Sequence, residues 1–311
     1  MAQAEPTPGS APATGTIYDL GYQGYDGPRR GRRYALWSLY VLSVRNAFGI
    51  GRGALPKVMA FLLLLFAHSL AIIQLILGAV LPVDEFSFVT PEDYYGLIQF
   101  ILVLFVAAIA SDLVGNDRRT NTLSLYFSRP IERDDYALAK IAALSSGLLA
   151  LTVVPQLLMF AGNALGASNG LDWVRDNASD LPRIVASGVL LCLAFGSLGT
   201  LIASYAERRA FAMISVIAIF LVSFTVVSSV VSEIDNDRMR WALFASPLHI
   251  VDGSTRYIFD AIPQAHEIVG REETSDQIAW ADFPGYVWPL ATLAMSAVAS
   301  ALVIRRYRGS V

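Results

Sequence analysis

The chain has 311 residues, 55% of them hydrophobic and only 16% charged, with a net charge of −3 and a mean hydropathy of +0.51. A soluble domain carries about 25% charged residues to cover its surface, so a soluble enzyme is excluded and much of this surface is expected to meet lipid. The small net charge argues against a nucleic-acid partner, and the lone cysteine, Cys192, rules out an internal disulfide framework or thiolate metal cluster.

Residues 1–33 mix Pro, Gly, Ala and Thr with Arg29, Arg30, Arg32 and Arg33 and contain no apolar run of signal-peptide length. They are expected to form a flexible cytoplasmic tail ahead of a single membrane domain over 34–311. Residues 34–48 are interrupted by Ser38, Ser43, Arg45 and Asn46 and are too short to cross a bilayer. Trp37, Tyr40, Val41, Val44 and Phe48 nevertheless share one helical face, which fits a helix lying in the membrane interface or one covering the bundle. Six later segments carry the roughly 20 apolar residues that a crossing helix requires: about 56–82, 95–115, 139–166, 183–204, 210–232 and 284–304. The fold class expected is therefore all-α, an integral membrane protein with six transmembrane helices.

Acids and bases are almost absent from these spans, which disfavours a proton-coupled carrier. Asp112 sits at the inner end of the second span. The midplanes offer only hydroxyls, amides and one imidazole: His68, Gln74, Gln99, Gln156 and Asn163. Each of these either pairs with a neighbouring helix or lines a cavity, and pairing is the commoner role. In the third span Gly162 and Gly166 form a G-x-x-x-G, a weak sign of a helix contact. The run Phe195-Gly196-Ser197-Leu198-Gly199 in the fourth span lacks the first glycine of a nucleophile elbow, so its small residues are read as helix-packing positions. The fifth span carries Phe220 and Phe224 among serines and threonines.

Basic residues near span ends stay in the cytoplasm. With the N-terminus inside, 17 of the 23 Lys and Arg fall on inner segments, so both ends of the chain are expected inside. Outside lies one long loop, about 233–283, with ten acids and four arginines. Its Trp241, Phe244, Pro247, Tyr257, Ile258 and Phe259 are costly to leave in water, so short helices folded back onto the membrane face are expected there. A metal site is not expected, because the three histidines, His68, His249 and His266, form no pair at metal-ligand spacing. The chain also lacks a phosphate cradle. Its only lysines, Lys57 and Lys140, follow Pro56 and Ala139, so no P-loop exists and the chain cannot be its own ATPase.

The inner segment 112–140 is the most informative. Its five acids and five bases balance, which is unusual for a positive-inside loop. Thr120 or Asn121 is placed to cap a short helix in which Leu123, Tyr126 and Phe127 share one side. Pro130 stops it. Glu132, Asp134 and Asp135 then suit the first turn of the next helix, where the dipole favours negative charge. A short apolar-faced helix, a proline turn and a charged collar make either a docking knob for a soluble partner or an amphipathic connector on the headgroups.

The stretch Thr122-Leu123-Ser124-Leu125-Tyr126-Phe127-Ser128-Arg129-Pro130-Ile131-Glu132-Arg133-Asp134-Asp135-Tyr136-Ala137-Leu138-Ala139-Lys140 resembles the T-L-x-L-L/Y-x-S-R-P-I-x-R-x-x-Y-x-L-x-K pattern of ABC-2 type permeases. Ile17-Tyr18-Asp19-Leu20-Gly21-Tyr22, with Tyr25-Asp26-Gly27-Pro28-Arg29, resembles the segment before the first helix in an actinobacterial-type branch of that family. The resemblance implies a permease subunit of an ATP-binding-cassette exporter with an N-terminal elbow helix and a cytoplasmic coupling helix between spans 2 and 3. It implies that two separate ATPase subunits bind ATP and Mg, that this chain binds neither, and that a second permease copy completes the transporter as a homodimer or paralogous heterodimer. The site implied for coupling is Leu123, Tyr126, Phe127, Arg129, Pro130, Arg133 and Tyr136, with Tyr126 and Phe127 as the apolar seat. A substrate cavity would draw on His68, Gln74, Phe220 and Phe224, and its cargo would be a drug, a lipid or another amphiphile. The location implied is a bacterial plasma membrane. The other functions this topology would serve are a membrane scaffold or sensor and an ion-coupled carrier.

Overall fold

Helix α1 (Arg32–Ala47) opens the computed structural model, which describes residues 27, 30–51, 53–80, 89–120, 122–233, 239–262 and 283–309. Most of the expected tail, including residues 17–26 and 28–29, lies outside the described residues, as do His266 and Asn121. Gly49 and Gly51 take positive φ (67° and 86°) and turn the chain into α2 (Ala54–Val80). A side chain at Gly49 would fall 2.6 Å from the Lys57 amide, so only glycine fits that turn. Helix α3 (Pro91–Leu113) follows, with Pro91 in its first turn, where proline is pre-shaped for a helix, and Glu92 and Asp93 complementing the dipole. Two short helices, α4 (Gly115–Arg119) and α5 (Leu123–Phe127), lead into the long α6 (Arg133–Gly166).

Beyond α6 come α7 (Gly170–Asp176), α8 (Asp180–Tyr205) and a fifth spanning segment built from α9 (Arg209–Ile217), one π-turn (Ala218–Val222) and α10 (Ser223–Glu233). Residues Met239–Ala245 form a 3₁₀ stretch, then come α11 (Pro247–Ile258) and α12 (Val287–Arg308). Among the described residues six helices are long and apolar enough to cross a membrane: Ala54–Leu77, Pro91–Asp117, Arg133–Gly166, Asp180–Tyr205, Arg209–Val231 and Val287–Arg308. These are the six spans read from the sequence, and no strand occurs among the described residues. The protein is an all-α integral membrane protein.

Helix α6 is the axis of the bundle, packing against α1, α2, α3, α8 and α12. Small residues set its spacing from its neighbours. A side chain at Gly196 would overlap Ser145 of α6, and one at Gly199 would overlap Val106 of α3, so the small-residue run of the fourth span is a packing surface. At Gly162 an added carbon would lie 3.2 Å from the Leu75 backbone, which makes Gly162 the point of close approach between α6 and α2. Pro155 inside α6 deprives the Leu151 carbonyl of its helical partner. The Tyr94 hydroxyl answers it, lying 3.3 Å from the Leu151 oxygen and 2.9 Å from that of Ala67, so one phenol ties α3 to both α6 and α2.

Short helical segments are present in the described part of the long loop. One face of α11, from Leu248 through Thr255, is buried against α12, α8 and α3. Trp241, Phe244, Phe283 and Trp288 stack next to it, with the Phe244 and Trp288 rings 4.9 Å apart and nearly parallel. Residues 263–282 lie outside the described residues.

Candidate functional site

The end of the bundle that carries α5 also carries the start of α1 and the end of α12, because an even number of crossings returns the chain to its starting side. Each acid of segment 112–140 is paired there. Asp112 takes Arg209 (3.1 Å), Asp117 takes Lys140 (2.7 Å), Glu132 and Asp135 both take Arg32, and Asp134 takes Arg308. The acids of this segment thus belong to a network that binds α3 to α9, α4 to α6, α1 to α6 and α12 to α6, and only Lys140 among their partners comes from the segment itself. Arg129 makes no ion pair among the described residues and is exposed.

The short helix differs from expectation at its start. Thr122 occupies the position before Leu123, without a side-chain capping bond, and the Thr120 hydroxyl donates back to the Asn116 carbonyl at 2.9 Å. Thr120 therefore closes the end of α4 and does not cap α5. The second stop and start follow the sequence reading. Helix α5 ends at Phe127, Arg129 and Pro130 are exposed in the turn, and α6 begins at Arg133. The Asp135 carboxylate accepts the Glu132 amide at 3.2 Å, and Asp134 and Asp135 lie in the first turn.

Leu123, Tyr126 and Phe127 do share one side of α5, but that side faces the chain's own core. The Tyr126 and Phe127 rings lie 5.8 and 6.0 Å from the ring of Tyr136, which is wholly buried and meets Tyr307 edge to face at 5.0 Å. Tyr126 and Phe127, read as the apolar seat, are thus partly buried, and much of their surface packs α5 against α6. Tyr136 has no exposed surface. Its hydroxyl donates to Asp117 at 2.8 Å, beside the buried Lys140. The face that α5 presents outward is Ser124, Leu125 and Ser128, with Leu125 65% exposed. Leu125 escaped sequence reasoning because the apolar pattern groups 123, 126 and 127, and only the packing shows which side faces in.

Arg133 donates to the Arg308 carbonyl at 2.6 Å, and its guanidinium lies 5.8 Å from the Phe127 ring centre. With Ile131, Glu132, Asp134 and Arg308 these two residues line an open groove of about 490 Å³ beside α5. The result is an exposed apolar knob, a free arginine after it and a polar groove next to it, all rooted in α6.

The four residues proposed for a cavity are not brought together. Gln74 donates to Asn163 at 3.1 Å between α2 and α6, and His68 bonds the Leu64 carbonyl of its own helix. Phe220 is fully buried with its ring 4.7 Å from that of Phe195, whereas Phe224 is partly exposed and stacks on His249 at 4.5 Å. Helix α2 packs mainly on α6 and α3, and the fifth span on α3, α8 and α11, which separates the two pairs. Gln74 and Phe220 are buried, whereas Phe224 and His68 keep some exposed surface. The imidazole of His249, which also meets Ser228 at 3.1 Å, is pushed down to about 4 by burial.

Compared with known proteins, the chain matches the family model described as ABC-2 family transporter protein over residues 29–252. No curated protein matches it.

Proposed function

The chain belongs to the ABC-2 transporter family and is a multi-pass membrane permease of an ABC-type transporter, and from that premise we propose that it works as an exporter subunit driven through α5. The family implies an ABC ATPase as partner. The observation that carries the reading is the two-sided α5: Leu125 and Arg129 point outward, while Tyr126 and Phe127 grip Tyr136 at the base of the third span. A load applied to Leu125 reaches α6 directly, and reaches α1 and α12 through Arg32 and Arg308. Arg129 and Pro130 meet the ATPase beside Leu125. Leu123, Tyr126, Phe127 and Tyr136 position the knob, and Arg133 holds the groove.

In this proposal two ATPase subunits bind ATP and Mg, this chain binds neither, and two permease copies form the path. Closure of the ATPase pair draws the α5 knobs together, and the spans at the permease contact switch access from the inner leaflet to the outside. The cargo is an amphiphile such as a drug or a lipid, with Phe224 and His68 as wall residues. The α5 side is cytoplasmic, as the surplus of arginine there supports, and the membrane is a bacterial plasma membrane. The test is to purify the complex and measure ATP-dependent flux in proteoliposomes for wild type and Leu125→Asp. A charge at the knob should lower ATPase co-purification and coupled flux at least tenfold while the fold is retained. Unchanged flux would overturn the coupling role of α5, and flux that is independent of ATP would favour an ion-coupled carrier.

A further inference from the structure

Helices α1 and α6 are pinned to each other at two points. At one end Arg32 forms a two-pronged bond to Asp135, with distances of 2.7 and 2.9 Å. At the other the Tyr40 hydroxyl lies 2.7 Å from the Ser146 hydroxyl. The pins sit at 32 and 40 on α1 and at 135 and 146 on α6, spacings that return to the same helix face. Between them α6 offers Leu138 at one edge and then Ala139 and Ala142, which are too small to fill the gap. An open groove of about 370 Å³ remains, walled by Trp37 and Tyr40 on one side and Leu138 on the other, with Arg33 also lining it.

The groove lining is almost wholly apolar apart from Arg33. Trp37 is 60% exposed and Leu138 50% exposed. Arg33 differs from its neighbour: Arg32 is consumed by Glu132 and Asp135, whereas Arg33 is exposed and makes no ion pair among the described residues. A dry slot on a membrane-embedded chain, with an unpaired guanidinium one turn before an indole, matches a molecule with an anionic head and a hydrocarbon tail. Arginine suits phosphate because its fork gives two hydrogen bonds at once, and an indole suits the level of the headgroups.

We propose that the groove between α1 and α6 binds an anionic phospholipid from the leaflet on the α5 side, its acyl chain lying between Trp37 and Leu138 and its phosphate against Arg33. Because α6 also carries α5, such a lipid braces the coupling assembly at its base.

The test uses the full-length chain in nanodiscs of phosphatidylcholine, with phosphatidylglycerol or phosphatidylcholine bearing a brominated acyl chain as quencher of tryptophan fluorescence. The component of quenching that disappears in Trp37→Phe reports this groove. In wild type that component should favour phosphatidylglycerol by about fivefold in relative affinity, the contribution of one basic residue near a membrane surface. Arg33→Gln should abolish the preference and Arg33→Lys should retain most of it. Ala142→Leu, which fills the slot, should reduce quenching by either lipid. Equal quenching by the two lipids in wild type, or a preference that survives Arg33→Gln, would overturn the proposal. So would a Trp37 that neither lipid quenches, because the groove would then be covered by the chain's own N-terminal segment or by a second copy.

Discussion

Replacing Lys140 by methionine isolates the joint between α4 and the third span. Lys140 is 2% exposed, and its ammonium lies 2.7 Å from Asp117, which also accepts the Tyr136 hydroxyl at 2.8 Å. The ammonium lies 5.2 Å from the Tyr136 ring centre as well, so three groups share one enclosed site. Methionine keeps the length of the side chain and removes its charge, leaving the Asp117 carboxylate with one donor in a dry setting. Breaking a buried pair from one side costs about 3–5 kcal/mol. At roughly 2–4 °C per kcal/mol for a large domain, the apparent melting temperature should fall on the order of 10 °C. The assay is thermal unfolding in detergent, followed by the monodisperse fraction after heating. The double variant Asp117→Leu with Lys140→Met removes both charges and should recover most of the loss, since an apolar pair of similar volume is often neutral or better. It should not recover coupled ATPase activity, because α4 is then no longer tied to Tyr136. A Lys140→Met protein within about 1 kcal/mol of wild type would refute the reasoning, as would a double variant no better than the single one.

Three further outcomes follow from the packing. The imidazole of His249 is held near 4 against an ordinary 6.5, so the folded state takes up its proton later than the unfolded chain. Its contribution is fully present above pH 6.5 and is lost as the pH falls toward 4, by about 3 kcal/mol in all. Melting curves of wild type should converge on those of His249→Asn over that window, and a constant difference would contradict the buried neutral state. Gly199→Val should cost about 1–3 kcal/mol, because the new side chain overlaps Val106 of α3; unchanged thermal stability would mean that α3 and α8 are not so close. Gln74→Leu removes one interhelical bond to Asn163, worth about 0.6 kcal/mol inside a membrane, and should leave flux unaltered. A large change in substrate selectivity would instead place Gln74 on the transport path.

Residue order alone determined the six spans, the pairing of a short helix with Pro130, and the acidic first turn of α6, since each rests on local length, periodicity or dipole. It also determined that no phosphate cradle exists, which depends only on the neighbours of two lysines. Tertiary structure decided which side of each helix faces in. Leu123, Tyr126 and Phe127 form one apolar stripe in the sequence, and a stripe is the same whether it awaits a partner or buries itself. Only the ring of Tyr136 beneath them shows that they are already occupied and that Leu125 is left over. The partners of the acids were equally hidden, because Arg32 and Arg308 lie about a hundred residues or more from the carboxylates they bind. A balanced charge count is blind to such distances. It takes the fold to show that Glu132, Asp134 and Asp135 pair with Arg32 and Arg308 and so join α1 and α12 to the third span, while Arg129 makes no ion pair among the described residues.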